Sequence, residues 1–211
     1  MNATPFKTLK RVGGNPEILR GRGSIAYSFA AYIFAVGMIY GSLEYVDFQI
    51  SRATTPILIG FIFSHGIYRV VHRPYLLFTD TALGIRNPFS TTIVDWNDVK
   101  AIKTKFTFTV LTKDREIRCW SAVGPGRRHH RRMHPSDLRG FHQGNQGSSD
   151  IKVSDTPGTD SGTAGYIAQL RLNQRVDVKS APVNFSITTD WLGISITAIS
   201  VIAAFISALH S

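Results

Sequence analysis

The sequence predicts a membrane protein that combines α and β structure: a transmembrane helical hairpin, a cytoplasmic antiparallel β-barrel or sandwich, and a single C-terminal transmembrane helix. Uncharged apolar runs at 25–43, 53–68 and 191–209 predict the helices. Short stretches in which apolar and polar residues alternate predict β-strands between the second and third runs. Charged residues are concentrated outside the apolar runs, whereas a single soluble globular domain would interleave the two classes.

The first two runs predict the hairpin. The first contains nineteen residues, which as a helix would span about 28 Å and match the hydrocarbon core of a bilayer, about 30 Å thick. The second contains sixteen residues, and Arg69 and His72 lengthen it if their side chains snorkel to the headgroup region. Only residues 44–52 separate the two runs, so the connection is expected to be tight.

The third run, at 191–209, is uncharged for nineteen residues and is bracketed by Asp190 and His210. Hydroxyl side chains dilute its apolar character, but they can bond back to carbonyl groups of the helix. Its apolar residues do not form one stripe, which favours a membrane span over a helix that lies on the membrane surface.

Basic residues that flank the runs predict the orientation in the membrane. Five Lys and Arg residues precede the first run, whereas the loop at 44–52 carries one Arg and two acidic residues. Arg69 and Arg73 follow the second run. We therefore expect a multi-pass plasma membrane protein whose N-terminus and β domain lie on the cytoplasmic side.

Residues 74–122 are predicted to form the β domain. Period-2 alternation places Phe106, Phe108 and Val110 on one face of a strand. The residues expected to fill the core of the domain are Leu83, Ile85, Ile93, Trp96, Phe106, Phe108 and Val110.

Two segments of this region, directly after the predicted hairpin, carry a family resemblance. Leu83–Pro88 and Ile93–Trp96, followed by Val99 and Ile102, resemble the bacterial PH-like domain of small actinobacterial membrane proteins. The resemblance implies a fold of about seven strands with a capping C-terminal helix, and no shared catalytic residues. It does not imply phosphoinositide specificity, because the turn at 79–83 has no basic cluster.

The predicted boundaries follow from these assignments. Residues 74–122 supply at most six strands, so the capping helix and a further strand are expected later in the chain. The segments are 1–23 (basic cytoplasmic tail), 24–73 (transmembrane hairpin), 74–122 (PH-like domain), 123–165 (basic, then Gly/Ser/Asp-rich linker), 166–189 (capping helix and strand) and 190–211 (C-terminal transmembrane helix).

The chain has 24 Lys and Arg against 14 Asp and Glu. This excess indicates a polyanionic neighbour, either nucleic acid or an anionic membrane surface. The densest basic run, at 127–134, has no Phe, Tyr or Trp on which bases would stack, so we expect no nucleic acid partner. The alternative for this run is a solvated linker without fixed contacts. The residues expected to contact anionic lipid of the inner leaflet are Arg69, Arg73, Arg127, Arg128, Arg131 and Arg132.

Small residues spaced four apart predict close packing between helices, because they let two backbones approach in lipid. They are Gly37, Gly41, Ser200, Ala204 and Ala208.

The functional prediction is a non-enzymatic protein. The chain has no recognised catalytic motif, and its single cysteine, Cys119, falls on a predicted strand. We therefore predict no catalytic, cofactor-binding or metal-binding residues. The predicted role is a membrane-anchored PH-like module that binds a protein partner or an anionic lipid surface. The alternative is a structural accessory subunit that is held in a larger membrane complex by its helices.

Overall fold

The structure is a computed structural model that describes residues 9–10, 14–47, 50–124, 158–174 and 186–210. Its strands are β1 (Glu17–Leu19), β2 (Tyr75–Phe78), β3 (Ala82–Arg86), β4 (Ser90–Asp95), β5 (Ala101–Lys103), β6 (Thr107–Leu111), β7 (Glu116–Val123) and β8 (Ser186–Thr189). Its helices are α1 (Ser24–Tyr45), α2 (Ile50–Ile67), α3 (Asp160–Gln174) and α4 (Trp191–His210), with a π-helical turn at Tyr68–His72 and a 3₁₀ turn at Trp96–Asp98.

Contacts divide the chain into two compact units. The β unit comprises the described residues of 1–22, 75–87 and 91–188. The helical unit comprises those of 23–74, 88–90 and 189–211.

The larger sheet of the β unit has the strand order β1-β2-β3-β4-β8, and the pairs from β1 to β4 are antiparallel. Strand β1 lies at one edge, where Glu17 is opposite Phe78 and Leu19 is opposite Leu76. The sequence between these neighbouring strands contains both α1 and α2. The assignment of 1–23 to a tail did not predict this strand.

The smaller sheet has the order β5-β6-β7 with antiparallel pairs. The register between β6 and β7 shifts between Thr107 and Thr109, where β7 bulges. The hydroxyl of Thr107 reaches two carbonyl oxygens of the bulge, those of Cys119 and, at 2.9 Å, Ala122. These contacts satisfy backbone groups that the bulge removes from the ladder.

Both sheets and α3 contribute to one apolar core. The ring of Trp96 stacks on that of Phe78 with 6.4 Å between centroids, and its Nε1 donates to the carbonyl oxygen of Thr79 at 2.9 Å. The buried residues of this core are Leu76, Phe78, Leu83, Ile85, Val94, Trp96, Phe108, Val110, Ile117, Cys119, Ala122, Ala164 and Ala168. Ile93 is buried in a second, smaller cluster with Leu77 and Ala82.

The predicted core is confirmed except at Phe106, where the prediction is wrong. The Phe106 side chain is 77% exposed. Strand β6 begins one residue later, at Thr107, and the carbonyl oxygen of Phe106 instead accepts a hydrogen bond from the backbone N–H of Gly124 at 2.7 Å. The period-2 pattern therefore extended the strand across a turn, where alternation no longer fixes which side a residue faces.

The helix expected within 166–189 is present as α3, but it begins earlier, at Asp160. Residues 160–165 were assigned to the linker, and this part of the prediction is wrong. The hydroxyl oxygen of Thr159 accepts a hydrogen bond from the backbone N–H of Gly162 at 2.9 Å, which caps the first turn. A strand was also predicted here and is present as β8; the rest of the basic and polar linker, 125–157, lies outside the described residues.

The helical unit packs α1 and α2 antiparallel. The ring of Tyr32 lies 6.2 Å from His72, that of Phe34 lies 6.3 Å from Phe63, and Ile39 fills the space beside Gly60. Helix α4 runs antiparallel to α2. The hydroxyls of Thr55 and Ser207 are 2.8 Å apart near the start of α2 and the end of α4, and Arg69 pairs with Asp190 where α2 ends and α4 begins.

Three helices are long and apolar enough to cross a membrane: Ser24–Tyr45, Ala53–His72 and Trp191–Leu209. The three predicted apolar helices are therefore confirmed as helices. Their orientation and their location in a plasma membrane stay predictions.

Candidate functional site: an arginine–aspartate cluster at one end of the helices

Two arginines are placed on one side of the chain where α2 ends. The turn at Tyr68–His72 is π-helical, and the backbone N–H of Arg73 donates to the carbonyl oxygen of Tyr68 at 2.8 Å. Such wide turns inside helices are uncommon and are frequent at functional sites. Arg69 and Arg73 are four residues apart in sequence, so their side chains leave the helix on neighbouring turns and reach the same acceptors.

Asp190 is the shared acidic partner. Its Oδ2 accepts a hydrogen bond from Nη1 of Arg69 at 2.6 Å and from Nη2 of Arg73 at 2.8 Å. Its Oδ1 accepts one from the backbone N–H of Gly193 at 3.1 Å. One carboxylate therefore caps α4 and binds both guanidinium groups of α2.

The backbone of 88–90, which belongs to the helical unit, supplies a second acceptor. The carbonyl oxygen of Pro88 lies 3.3 Å from Nη1 of Arg69 and 2.6 Å from Nη1 of Arg73. The backbone N–H of Asp190 donates to the carbonyl oxygen of Phe89 at 2.9 Å. The arginines, Asp190 and this short segment thus form one hydrogen-bonded group, called the ion cluster below.

Gly193 makes room for the cluster. A side chain at this position would occupy the space that the guanidinium of Arg69 fills. The same guanidinium also contacts α2 itself, since Nε of Arg69 donates to Nε2 of His65 at 3.3 Å. The absence of a Cβ at 193 therefore lets the cation reach the first turn of α4.

The ion cluster has more cationic than anionic groups, and its arginine side chains are largely shielded from solvent. The side chains of Arg69 and Arg73 are each 5% exposed, and that of Asp190 is 28% exposed. Desolvation acts to raise the pKa of Asp190, but the hydrogen bonds from Arg69 and Gly193 and the charges of both arginines outweigh it. The pKa of Asp190 therefore lies below its ordinary value of 3.8. At neutral pH the cluster holds two cations and one anion.

This geometry corrects the predicted role of Arg69 and Arg73. We expected both to reach lipid headgroups, but both are buried against Asp190 and Pro88. The reason is that α4 brings a carboxylate within hydrogen-bond distance of both guanidinium groups at the end of α2, where charge-assisted hydrogen bonds hold them. Chemically, the arrangement holds helices together; its carboxylate accepts three hydrogen bonds and stays ionised.

The predicted packing residues divide into two groups. Ser200 is buried and Ala204 is half-buried, on the stripe of α4 that also contains Gly193 and Ser207. Ala208 is exposed, beside that stripe. Gly37 and Gly41 have open space where a Cβ would stand, so they do not contribute to packing within the helical unit. Sequence spacing alone did not identify Gly60, whose missing side chain admits Ile39.

Two further predictions concern ligands. Arg127, Arg128, Arg131 and Arg132 lie outside the described residues. Within the described ranges, no group of three or more His, Cys, Asp or Glu side chains is arranged to hold a metal ion.

Comparison with known proteins does not identify a family. No protein-family model matches the chain, and neither the curated proteins nor the solved structures include a significant match.

Sequence reasoning missed Asp190 as a site residue, although a signal was present. An Asp that immediately precedes an apolar run is typical of a helix N-cap. Two arginines spaced four apart at the end of another apolar run need an acidic partner if they are buried. The sequence could not show that the two runs meet.

Proposed function

We propose that this protein is a non-enzymatic integral membrane protein that presents a cytoplasmic PH-like module for binding. The proposal rests on one relationship: strands of the larger sheet continue directly into apolar helices. Leu19 of β1 is followed by α1, α2 and its π turn lead into Tyr75 of β2, and Thr189 of β8 is followed by α4.

The sheet register supports a module that is fixed at one end. Antiparallel pairing puts the end of β1 beside the start of β2, since Leu19 is opposite Leu76. The side chain of Thr188 in β8 donates to the carbonyl oxygen of Thr91 at 3.2 Å, near the start of β4. Strand β3 pairs antiparallel with both β2 and β4, so the starts of β2 and β4 lie at the same end of the sheet. The chain therefore passes to its apolar helices from one end.

The PH-like assignment is supported by the order of elements. The chain forms a sheet from β1 to β4, then a second sheet from β5 to β7, and then α3, which packs on the core that both sheets share. Strand β8 is added to the first sheet. The seventh strand is β1, and the helical hairpin forms the connection between β1 and β2. The turn at 79–83 is accordingly the β2–β3 turn.

A binding role is favoured because polar groups in the described part of the β unit serve its fold. Asp95 accepts a hydrogen bond from the backbone N–H of Asn97 at 2.7 Å, and Asp80 pairs with Arg171 of α3. The side chain of Asn87 bonds the backbone of β7 at Arg118 and Trp120, with both distances 2.9 Å. Such groups are positioned for structure, not for proton transfer to a substrate.

The accessory-subunit alternative is favoured by a different observation. Gly37 and Gly41 lie on a face of α1 that is open within the helical unit. Small residues four apart on a lipid-facing helix admit a second helix closely. The larger complex would then be held through α1.

Membrane insertion and orientation are tested first. We expect the chain to stay in the membrane fraction after alkaline carbonate washing. A cysteine at Tyr45, the highly exposed last residue of α1, should react with an impermeant maleimide on intact cells, whereas one at Lys100 should not. Release by carbonate, or labelling of position 100 from outside, would contradict the proposal.

Co-purification separates the two roles. Gly37→Leu with Gly41→Leu should leave a partner of the β unit bound, and should release a partner that is held by α1. A leucine at Ala204, another of the predicted packing residues, would not separate the two roles, because position 204 is half-buried and the larger side chain would disturb packing within the helical unit. Loss of every partner in the α1 variant would favour the accessory subunit.

A further inference from the structure

We propose that the outer face of the smaller sheet docks on an anionic bilayer surface. The inference rests on the proposed function, because it requires that the helices hold the β unit near a membrane. To the proposed function it adds which surface of the β unit makes contact, which residues form that surface, and that the binding partner is anionic lipid.

The first observation is that basic charge is concentrated in the strands and connections of this sheet. Residues 99–124, which include β5, β6 and β7, carry six Lys and Arg against two Asp and Glu. The segments 14–22 and 75–98, which supply β1 to β4, carry three Arg against four acidic residues, and α3 is balanced. The excess positive charge of these parts of the β unit therefore lies in the segment that holds the smaller sheet and its connections, with Lys103 and Arg118 in the strands themselves.

The register places two of these cations in one row on the face that points away from the core, with the buried Thr109 between them. Lys103 of β5 is opposite Thr109 of β6, which is opposite Arg118 of β7. The core-facing residues beside this row are Ile102, Val110 and Ile117. Two strand spacings separate Lys103 from Arg118, about 10 Å. Oε1 of Glu116 lies 3.5 Å from Nε of Arg118, so this carboxylate offsets part of the positive charge of Arg118.

Aromatic residues extend the same face. In β7, alternation puts Trp120 one row beyond Arg118 on the same face, and Trp120 is 55% exposed. Lys105 and Phe106 are both exposed in the connection between β5 and β6, and Nζ of Lys105 lies 5.2 Å from the ring centroid of Phe106. Val123 is also exposed, and it pairs with Thr107. We call Lys103, Lys105, Phe106, Arg118, Trp120 and Val123 the docking face.

The composition of the docking face selects an anionic lipid surface as its occupant. Lys and Arg are attracted to anionic headgroups within about a Debye length, ~8 Å at physiological ionic strength. Trp favours the interfacial zone, where its ring contacts apolar chains while its N–H remains near water, and Phe adds apolar area to the contact. A protein interface would bury its apolar centre and reduce its Lys content, whereas here lysines adjoin the aromatic rings.

The test uses the full chain in nanodiscs, with an environment-sensitive fluorophore on Val123→Cys. Cys119 does not compete for the label because its thiol is buried. We expect blue-shifted emission in discs that contain phosphatidylglycerol compared with discs of phosphatidylcholine alone, and loss of the shift at high salt. The same label on Tyr166→Cys, an exposed position of α3, should show no such difference.

Charge variants separate attraction from folding. Lys103→Glu with Lys105→Glu should abolish the lipid-dependent shift, whereas Lys103→Arg with Lys105→Arg should keep it. An unreactive Cys119 in each variant shows that the core is intact. Equal emission in both lipids, or an unchanged shift in the charge-reversed variant, would overturn the inference, as would protection of the label by a co-purifying protein in either lipid.

These outcomes are distinct from failure of the proposed function. A chain that resists carbonate extraction but shows no lipid-dependent shift keeps its anchored module and loses only the docking face. A chain that carbonate releases loses both.

Discussion

Leu19 lies directly opposite Leu76 in the larger sheet, although two apolar helices separate them in the sequence. Leu19 packs partly buried against the main core, and Leu76 is fully buried within it. The β unit therefore closes one sheet edge with chain that precedes the helical hairpin. Backbone hydrogen bonds that β2 would otherwise leave open are made by β1.

This pairing predicts a difference between adjacent residues of β1. Leu19→Ala should lower the free energy of unfolding of the β unit by about 1.5 kcal/mol, since it removes apolar contacts from a partly buried site. Ile18→Ala should cost less than about 0.5 kcal/mol because Ile18 is exposed. Denaturant unfolding in mild detergent, followed by intrinsic tryptophan fluorescence, measures both. Equal effects would contradict the register.

Removal of the shared carboxylate should weaken the helical unit strongly. Asp190→Ala leaves two buried guanidinium groups without their anion, and breaking a buried ion pair costs about 3–5 kcal/mol. Thermal unfolding in detergent should show the loss as a lower Tm. The control is Asp98→Ala, which removes an exposed carboxylate of the 3₁₀ turn and should change the Tm little.

Two glycines should respond in opposite directions to alanine. Gly193→Ala forces the guanidinium of Arg69 out of its place, so we expect destabilisation by about 1–3 kcal/mol. Gly37→Ala meets open space and replaces a helical glycine, so it should stabilise α1 by up to about 1 kcal/mol. The two Tm shifts should therefore differ in sign. An unchanged Tm in Gly193→Ala would show that the guanidinium of Arg69 does not fill the space beside position 193.

The ion cluster predicts loss of stability in acid. The pKa of Asp190 in the folded protein lies below its ordinary value of 3.8, so the unfolded chain takes up this proton first as pH falls. The contribution of Asp190 is complete at neutral pH and is lost as pH falls below about 4. Tm measured between pH 3 and pH 7 should fall less in Asp190→Asn than in the native chain, because the variant has no such proton to bind.

Cys119 should be chemically inert in the folded protein. Burial raises the pKa of its thiol above the ordinary value of 9.0, and hydrogen bonds with Ser121 and Ala122 offset this only in part. Maleimide should therefore label it at neutral pH only after the chain is unfolded. Fast labelling of the native protein would mean that the core around β7 opens.

The sequence alone predicted the elements that depend on local pattern. Three apolar runs are three helices, and the alternation around Leu83, Ile85, Phe108 and Val110 is that of buried strands. Thr159 and Gly162 show why α3 begins before the predicted boundary, since a cap depends on one side chain and not on periodicity. Phe106 shows the opposite failure, in which alternation continued past the end of a strand.

Long-range partners were decided by the tertiary structure. Nothing near Glu17–Leu19 indicates a strand, because three residues carry too little pattern and their partner β2 lies beyond two helices. Arg69 and Arg73 were assigned to lipid because charged residues at the end of an apolar run usually snorkel; only the packing of α4 on α2 brings Asp190 to them. Composition and periodicity thus determined which segments are apolar helices and which are strands, since both depend on neighbours in the chain. The pairing of residues distant in sequence determined where the charges are neutralised, because that depends on which segments meet.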